Sequence, residues 1–187
     1  MDAIEAIRTR RTVKAFAADP PSREQIDELL ELARWAPNHG LTCPWRFRVV
    51  GPNALAALKL AACAQARDAA PDGADPGVIT TAAAAKLDRA PALVLVSSIR
   101  NADPRRDAED EHATAIAAYI VLLGAHAMGL AGYWRTPAVL HDAAGLAALG
   151  VPDDEQVMGL LHLGRAAQAP ATAPARSEVA DYATWLD

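Results

Sequence analysis

The sequence predicts an α+β fold in a single domain, residues 1–187. Three observations carry this expectation. Helical and strand-like patterns follow one another irregularly, without the regular βαβ rhythm of a doubly wound sheet. The continuous apolar run Ala92–Ile99 (ALVLVSSI) has the length and composition of a fully buried strand. A chain of 187 residues also buries enough surface to need no metal or disulfide staple.

The elements follow in order. Asp2 and Glu5 stand at capping-box spacing and Ile4 and Ile7 share a face, so a short helix runs from Asp2 to about Thr9. Arg10–Phe16 reads as extended chain. Ser22 and Gln25 form a second capping box and open a helix whose apolar face is Ile26, Leu29, Leu30 and Ala33. It stops before the turn-rich Pro37-Asn38-His39-Gly40. Trp45–Val49 alternates apolar and basic residues, as a half-buried strand does. Asn53 is placed to cap an Ala-rich helix reaching about Arg67, residues 68–77 form a Pro/Gly/Asp loop, and a further helix covers 79–89. Ala92–Ile99 is the buried strand, and residues 101–111 (NADPRRDAEDE) read as a charged loop.

From Ala113 to Trp134 there is no Asp, Glu, Lys or Arg, a run long enough to span a bilayer. Its Ala and Gly content, His126 near its middle and the lack of a second such run favour the central helix of a packed core instead. A short strand at Gly132–Arg135, a helix around 141–149 and the strand Val157–Leu163 complete the core. The arm from about 166 to 187 is rich in Ala and Pro and ends in Tyr182 and Trp185, aromatic side chains suited to docking.

Composition narrows the chemistry. About a quarter of the chain is alanine, and the net charge of -5 with pI ≈ 5.5 argues against a nucleic-acid binder. Two cysteines, Cys43 and Cys63, exclude a disulfide framework and a Cys-rich metal site. His112, His126, His141 and His162 lack metal-ligand spacing, and no Walker loop, G-x-G-x-x-G, nucleophile elbow or H-E-x-x-H occurs. The start, Met1-Asp2-Ala3-Ile4-Glu5, is acidic where a secretory signal is basic, so a cytoplasmic protein without membrane contact is expected.

Three clusters remain. In Arg8-Thr9-Arg10-Arg11-Thr12-Val13-Lys14, extended backbone puts Arg10, Thr12 and Lys14 on one side, about 7 Å apart. Two cations and a hydroxyl suit a phosphate, while cations near a helix C-terminus are also favourable in themselves. His39, between Asn38 and Gly40, is either a turn residue or a functional imidazole. Gly132-Tyr133-Trp134-Arg135-Thr136-Pro137 is either a buried aromatic strand end or the wall of a planar ligand.

Together and in this order, R-R-T-x-K-x-F near residue 10, A-P-x-H-G with P-W-R-F, G-x-W-R-T after the Ala-rich helix and L-x-L-G near the end resemble the nitroreductase family. The resemblance is to its short single-domain NAD(P)H branch and covers about Asp2 to Leu186. It implies a three-layer sandwich, a central mixed or antiparallel sheet flanked by helices, in an intertwined homodimer with FMN at each interface. Arg10, Arg11 and Thr12 would hold the FMN phosphate and ribityl chain, and Lys14 the ribityl or pyrimidine edge. Trp35 and His39 would reach the partner's flavin; Trp134, Arg135 and Thr136 would line it, and Arg176 would match a tail arginine near the phosphate. Trp35 departs from the family's Arg, losing a charged contact and offering an indole wall. The implied activity is ping-pong hydride transfer from NAD(P)H to a nitroaromatic or quinone, with no residue as covalent nucleophile. Reductive dehalogenation or flavin fragmentation on the same scaffold, and a flavin-binding module without turnover, are the alternatives.

Overall fold

A computed structural model describes residues 1–169 and 172–186. Among them the elements run α1 (Ala3–Thr9), α2 (Arg23–Ala33), β1 (Trp45–Val49), α3 (Pro52–Asp68), α4 (Pro76–Leu87), β2 (Ala92–Ile99), α5 (Pro104–Ala127), β3 (Ala131–Arg135), α6 (Ala143–Ala148) and β4 (Glu155–Gly164). β1 and β2 coincide with their predicted spans. So do both capping signals: Asp2 accepts from Glu5 N–H at 2.8 Å, and Ser22 and Gln25 cap each other at 3.2 and 3.0 Å.

Three helices start earlier than expected, each for the same reason. α3 opens on Gly51 with Pro52 in its first turn, and not on Asn53. α4 opens on Asp75, whose carboxylate accepts from Gly77 and Val78 N–H ahead of Pro76's missing donor. The predicted loop 101–111 is mostly helix, because Asp103 caps α5 through Arg105 N–H at 2.9 Å and Pro104 pre-sets the first turn. Most of its charges lie toward solvent, Arg105 pairing with Glu109 four residues on at 3.3 Å, while Asp110 is buried and accepts from the Thr42 hydroxyl.

The four strands pair antiparallel throughout in the order β1-β2-β4-β3. Parallel pairing enters with the single bridge Thr12–Gly132. Alternation along β2 serves both faces: Val94 and Val96 pack with α2 and α5, whereas Leu93 and Leu95 pack with α3 and α4. β4 does the same with Leu161 and Leu163 against Leu160. The outcome is the expected three-layer sandwich. α5 is its central helix: Ala113, Ala117, Ala118, Val121 and Ala125 are buried against sheet and α2. A Cβ on Gly124 would meet Leu32 Cδ1 at 2.7 Å, so this glycine sets how closely α2 approaches. Among the described residues no helix is long and apolar enough to cross a membrane. The arm starts against residues 15–16 through Ala166 and Ala167, while Tyr182 and Trp185 further along are exposed.

Across β1, β2 and β4, Arg48 donates to both carboxylate oxygens of Glu155 at 2.6 and 2.8 Å, and Ser97 donates at 2.5 Å. The Glu155 side chain is 7% exposed. The hydrogen bonds from Arg48, aided by Ser97, hold its carboxyl below the usual carboxylate range. A depressed folded pKa adds stability above the unfolded value of about 4.3, lost as pH falls through the folded value. Glu155→Gln should therefore lower the denaturation midpoint at neutral pH, with the gap to wild type narrowing in acid. Equal midpoints at neutral pH would show that the pair adds nothing.

Candidate functional site

Residues 12–17 are sewn between β3 and the chain leaving β4. Val13 N–H donates to Gly132 O at 3.2 Å, Ala17 N–H to Arg165 O at 2.9 Å and Ala167 N–H to Ala15 O at 3.0 Å. Period-two alternation then holds: Val13 is buried, while Thr12 and Lys14 are exposed and face an open cleft of 650 Å³ with Arg89 and Gln168. Arg10 departs from the expected common side. It is still the C-cap of α1, donating its N–H to Ala6 O, so strand-like alternation begins only after it. Its guanidinium lies 5.8 Å from the Tyr119 ring of α5, and with Arg11 it lines an adjoining cleft beside His126 and Gly129–Gly132.

The β3 residues divide by face. Tyr133 and Arg135 share one side. The Tyr133 ring is flanked by Lys14 Nζ at 5.9 Å and Arg135 Cζ at 5.7 Å, and Arg135 donates to Lys86 O at 2.9 Å. Trp134 takes the other side, packing against the α5 core and donating from its indole to Met158 O at 3.0 Å. Its indole thus belongs to the core. Thr136 is exposed just beyond the strand, and Arg176 is exposed in the arm. Behind Tyr133, at 5.8 Å between ring centroids, His162 is fully buried with neither ring nitrogen hydrogen-bonded among the described residues. Burial, with the nearby charges of Arg135 and Arg89, pushes its pKa down to about 4, so it is neutral at physiological pH.

His39 lies apart from these groups. His39 meets Glu109 at 2.7 Å near the start of α5, and the contact draws the Glu109 carboxyl below its ordinary range. Arg10 meets Tyr119, ten residues further along the same helix, which at 1.5 Å per residue is about 15 Å away. Trp35 is 76% exposed just beyond α2. One chain therefore does not bring His39 to the clefts.

Arg10, Arg11, Lys14, Arg89 and Arg135 have no carboxylate within 4.0 Å among the described residues. In a chain of net charge -5 these cations without carboxylate partners form a local positive field, with Arg11 and Arg135 donating only to backbone carbonyls. Arg10 Nε is in addition buried without an acceptor. Among the described residues no His, Cys, Asp or Glu group fits a metal ion. Sequence reasoning placed Tyr133 in the Gly132–Pro137 cluster without a role of its own, and missed Arg89, His126 and His162. Period-two spacing from Arg135 would have singled out Tyr133; Arg89, His126 and His162 enter only because α4, α5 and β4 end beside the same strand.

The model of the nitroreductase family matches residues 7–165. YfhC of Bacillus subtilis (strain 168), named as a candidate NAD(P)H nitroreductase, is 28% identical over 167 residues, covering 89% of this chain and 85% of its own. Among solved structures, a nitroreductase-like family protein from Bacillus cereus superposes with a TM-score of 0.86 at 21% identity, over 100% of this chain and 96% of that one. The FMN and NADPH-dependent nitroreductase NfnB from Sphigopyxis sp. strain HMH gives 0.78 at 22% identity, over 100% of both chains. These two likenesses establish the fold.

Proposed function

Because the chain belongs to the nitroreductase family, we propose that it is an FMN-dependent oxidoreductase that takes electrons from NAD(P)H and passes them to an electron-poor acceptor such as a nitroaromatic or quinone. The observation that carries this reading is the cationic group without carboxylate partners, with Arg10 Nε buried and unsatisfied. A phosphate supplies both the missing acceptor and about two negative charges. When bound, FMN supplies the hydride chemistry, accepting electrons from NAD(P)H and releasing them in a second half-reaction after NAD(P)⁺ leaves.

The residues hold and tune. Arg10, Arg11 and Thr12 grip the phosphate and the start of the ribityl chain. Lys14 and Arg135, on either side of Tyr133, would supply positive charge to a bound flavin's pyrimidine edge and so favour its electron-rich form. Thr136 borders the same strand end, and the Trp134 indole bond to Met158 O fixes that strand's position. Trp35 and His39 act from a second copy, His39 being remote from the clefts within one chain and Trp35 exposed; the exposed Ile4, Ile7, Ile116 and Tyr119 offer that copy an apolar surface. Trp35 then walls the pocket where the family carries a cation. Arg176, on the exposed arm, is the tail cation assigned to the phosphate.

The test is the visible spectrum of protein reconstituted with FMN and desalted. Retained bands near about 370 and 450 nm that bleach anaerobically with NAD(P)H are expected. A colourless protein would overturn the cofactor assignment.

A further inference from the structure

The cleft beside Arg10 and Arg11 holds an imidazole with no part in the function above. His126 stands in the last turn of α5, which ends in a Schellman motif: Gly129 N–H donates to His126 O at 3.0 Å and Leu130 N–H to Ala125 O at 2.8 Å. Gly129 takes φ +74°, the left-handed conformation this motif requires. These bonds occupy two helix-end carbonyls that would otherwise repel an anion.

His126, Arg10 and Arg11 line one cleft of 290 Å³, room for a phosphate group. His126 Nε2 lies 2.8 Å from Thr9 Oγ1. The Thr9 hydroxyl has a single hydrogen, and Glu5 O at 2.6 Å receives it. Thr9 therefore accepts from His126, Nε2 carries the ring hydrogen, and Nδ1 keeps the bare lone pair. Arg10, which lines this cleft, also carries a buried Nε–H that has no acceptor among the described residues, an independent sign of an unmet donor here.

We propose that His126 is a third phosphate ligand: an anion held by Arg10 and Arg11 draws a proton onto Nδ1, and the imidazolium completes the cationic shell. The identity of the anion as the FMN phosphate rests on the function proposed above. Several charges face the ring. Burial first, then Arg10 and Arg11, hold its pKa below the ordinary value, and Glu5 of α1 opposes them. The Met1 end of the chain shares the cleft, and the remaining wall from Gly129 to Gly132 is uncharged. A phosphate dianion inverts this balance, neutralising the arginine field and attracting the proton.

Histidine proton NMR titrations of the full chain test this, run alone, with FMN and with riboflavin, which lacks the phosphate. The His126 signal is identified by its loss in His126→Gln, whose amide keeps a donor for Thr9 but takes up no proton. The His126 pKa should rise by about one unit or more with FMN and stay unmoved with riboflavin. His126→Gln should bind FMN about fivefold more weakly than wild type near pH 6, and about equally near pH 8.5. A pKa that FMN leaves unmoved, or that riboflavin moves as far, overturns the proposal. Should FMN not bind, the cofactor reading falls, and the same titration with inorganic phosphate decides on His126 alone: a rise supports the site and no rise overturns it.

Discussion

Replacing Arg10 with alanine is expected to weaken FMN binding about 10- to 150-fold, the effect of losing charge-assisted hydrogen bonds of about 1.5–3 kcal/mol. The loss should be confined to the phosphate. Arg10 is only partly buried and makes no ion pair with a described carboxylate, so its removal leaves no charge stranded in the core. Its contact over the Tyr119 ring at 5.8 Å is worth about 0.5–1 kcal/mol at a site of this exposure. Riboflavin, with the same ring and ribityl chain, should therefore bind the variant as it binds wild type. Arg10→Lys should fall between, keeping the charge but not the planar fork. Fluorescence titrations with both flavins measure this. Equal FMN affinity in Arg10→Ala and wild type would place the phosphate elsewhere, and an equal loss for riboflavin would make Arg10 a structural residue.

Gly159→Ala is expected to destabilise the fold by about 3 kcal/mol, lowering the melting temperature by about 6–12 °C in a chain of this size. β4 carries a bulge here: Val96 pairs with Gly159 and Ser97 with Val157, which leaves Met158 without a partner on β2. Gly159 takes φ +143°, a conformation hardly open to L side chains. A Cβ there would collide with the Trp134 indole nitrogen and lie 2.7 Å from Arg135 O. Backbone at Arg135 cannot yield without moving β3, and the indole cannot yield without breaking its bond to Met158 O. Because Arg135 also stands beside Tyr133, the damage should reach the site as weaker FMN binding. Thermal unfolding of the apoprotein reads the stability part. An unchanged melting temperature would show that the bulge relaxes freely.

The bulge also illustrates what a linear reading misses. Gly159 inside an apolar strand pattern is a recognised sign of a bulge or a close approach, but nothing beside it names Trp134 as the approaching group. The same holds for 101–111. Its charges suggest a loop, yet the Asp103-Pro104 start signal prevails, since a helix needs only one buried face and Asp110 supplies part of it. In the N-terminal segment, spacing marks Arg10, Thr12 and Lys14 and the resemblance adds Arg11; Arg10 and Arg11 line one cleft, Thr12 and Lys14 its neighbour, and Arg135 stands beside Tyr133. Trp134 was marked as well, but strand alternation turns its indole into the core.

Local chemistry along the chain was sufficient for the fold class, for β1 and β2 to the residue, for the caps of α1 and α2, and for the cationic segment. Those features depend on periods of 2 and 3.6 and on side chains within a few residues of one another. The tertiary structure alone decided that Tyr133 and Arg135 share one face of β3, that Arg89 and His126 line the two clefts with His162 buried behind Tyr133, and that His39 meets α5 about 15 Å along the helix from Arg10's contact at Tyr119. Each of these depends on where distant elements end relative to one sheet edge, a quantity set by packing and register across the whole domain, which spacing along the chain does not encode.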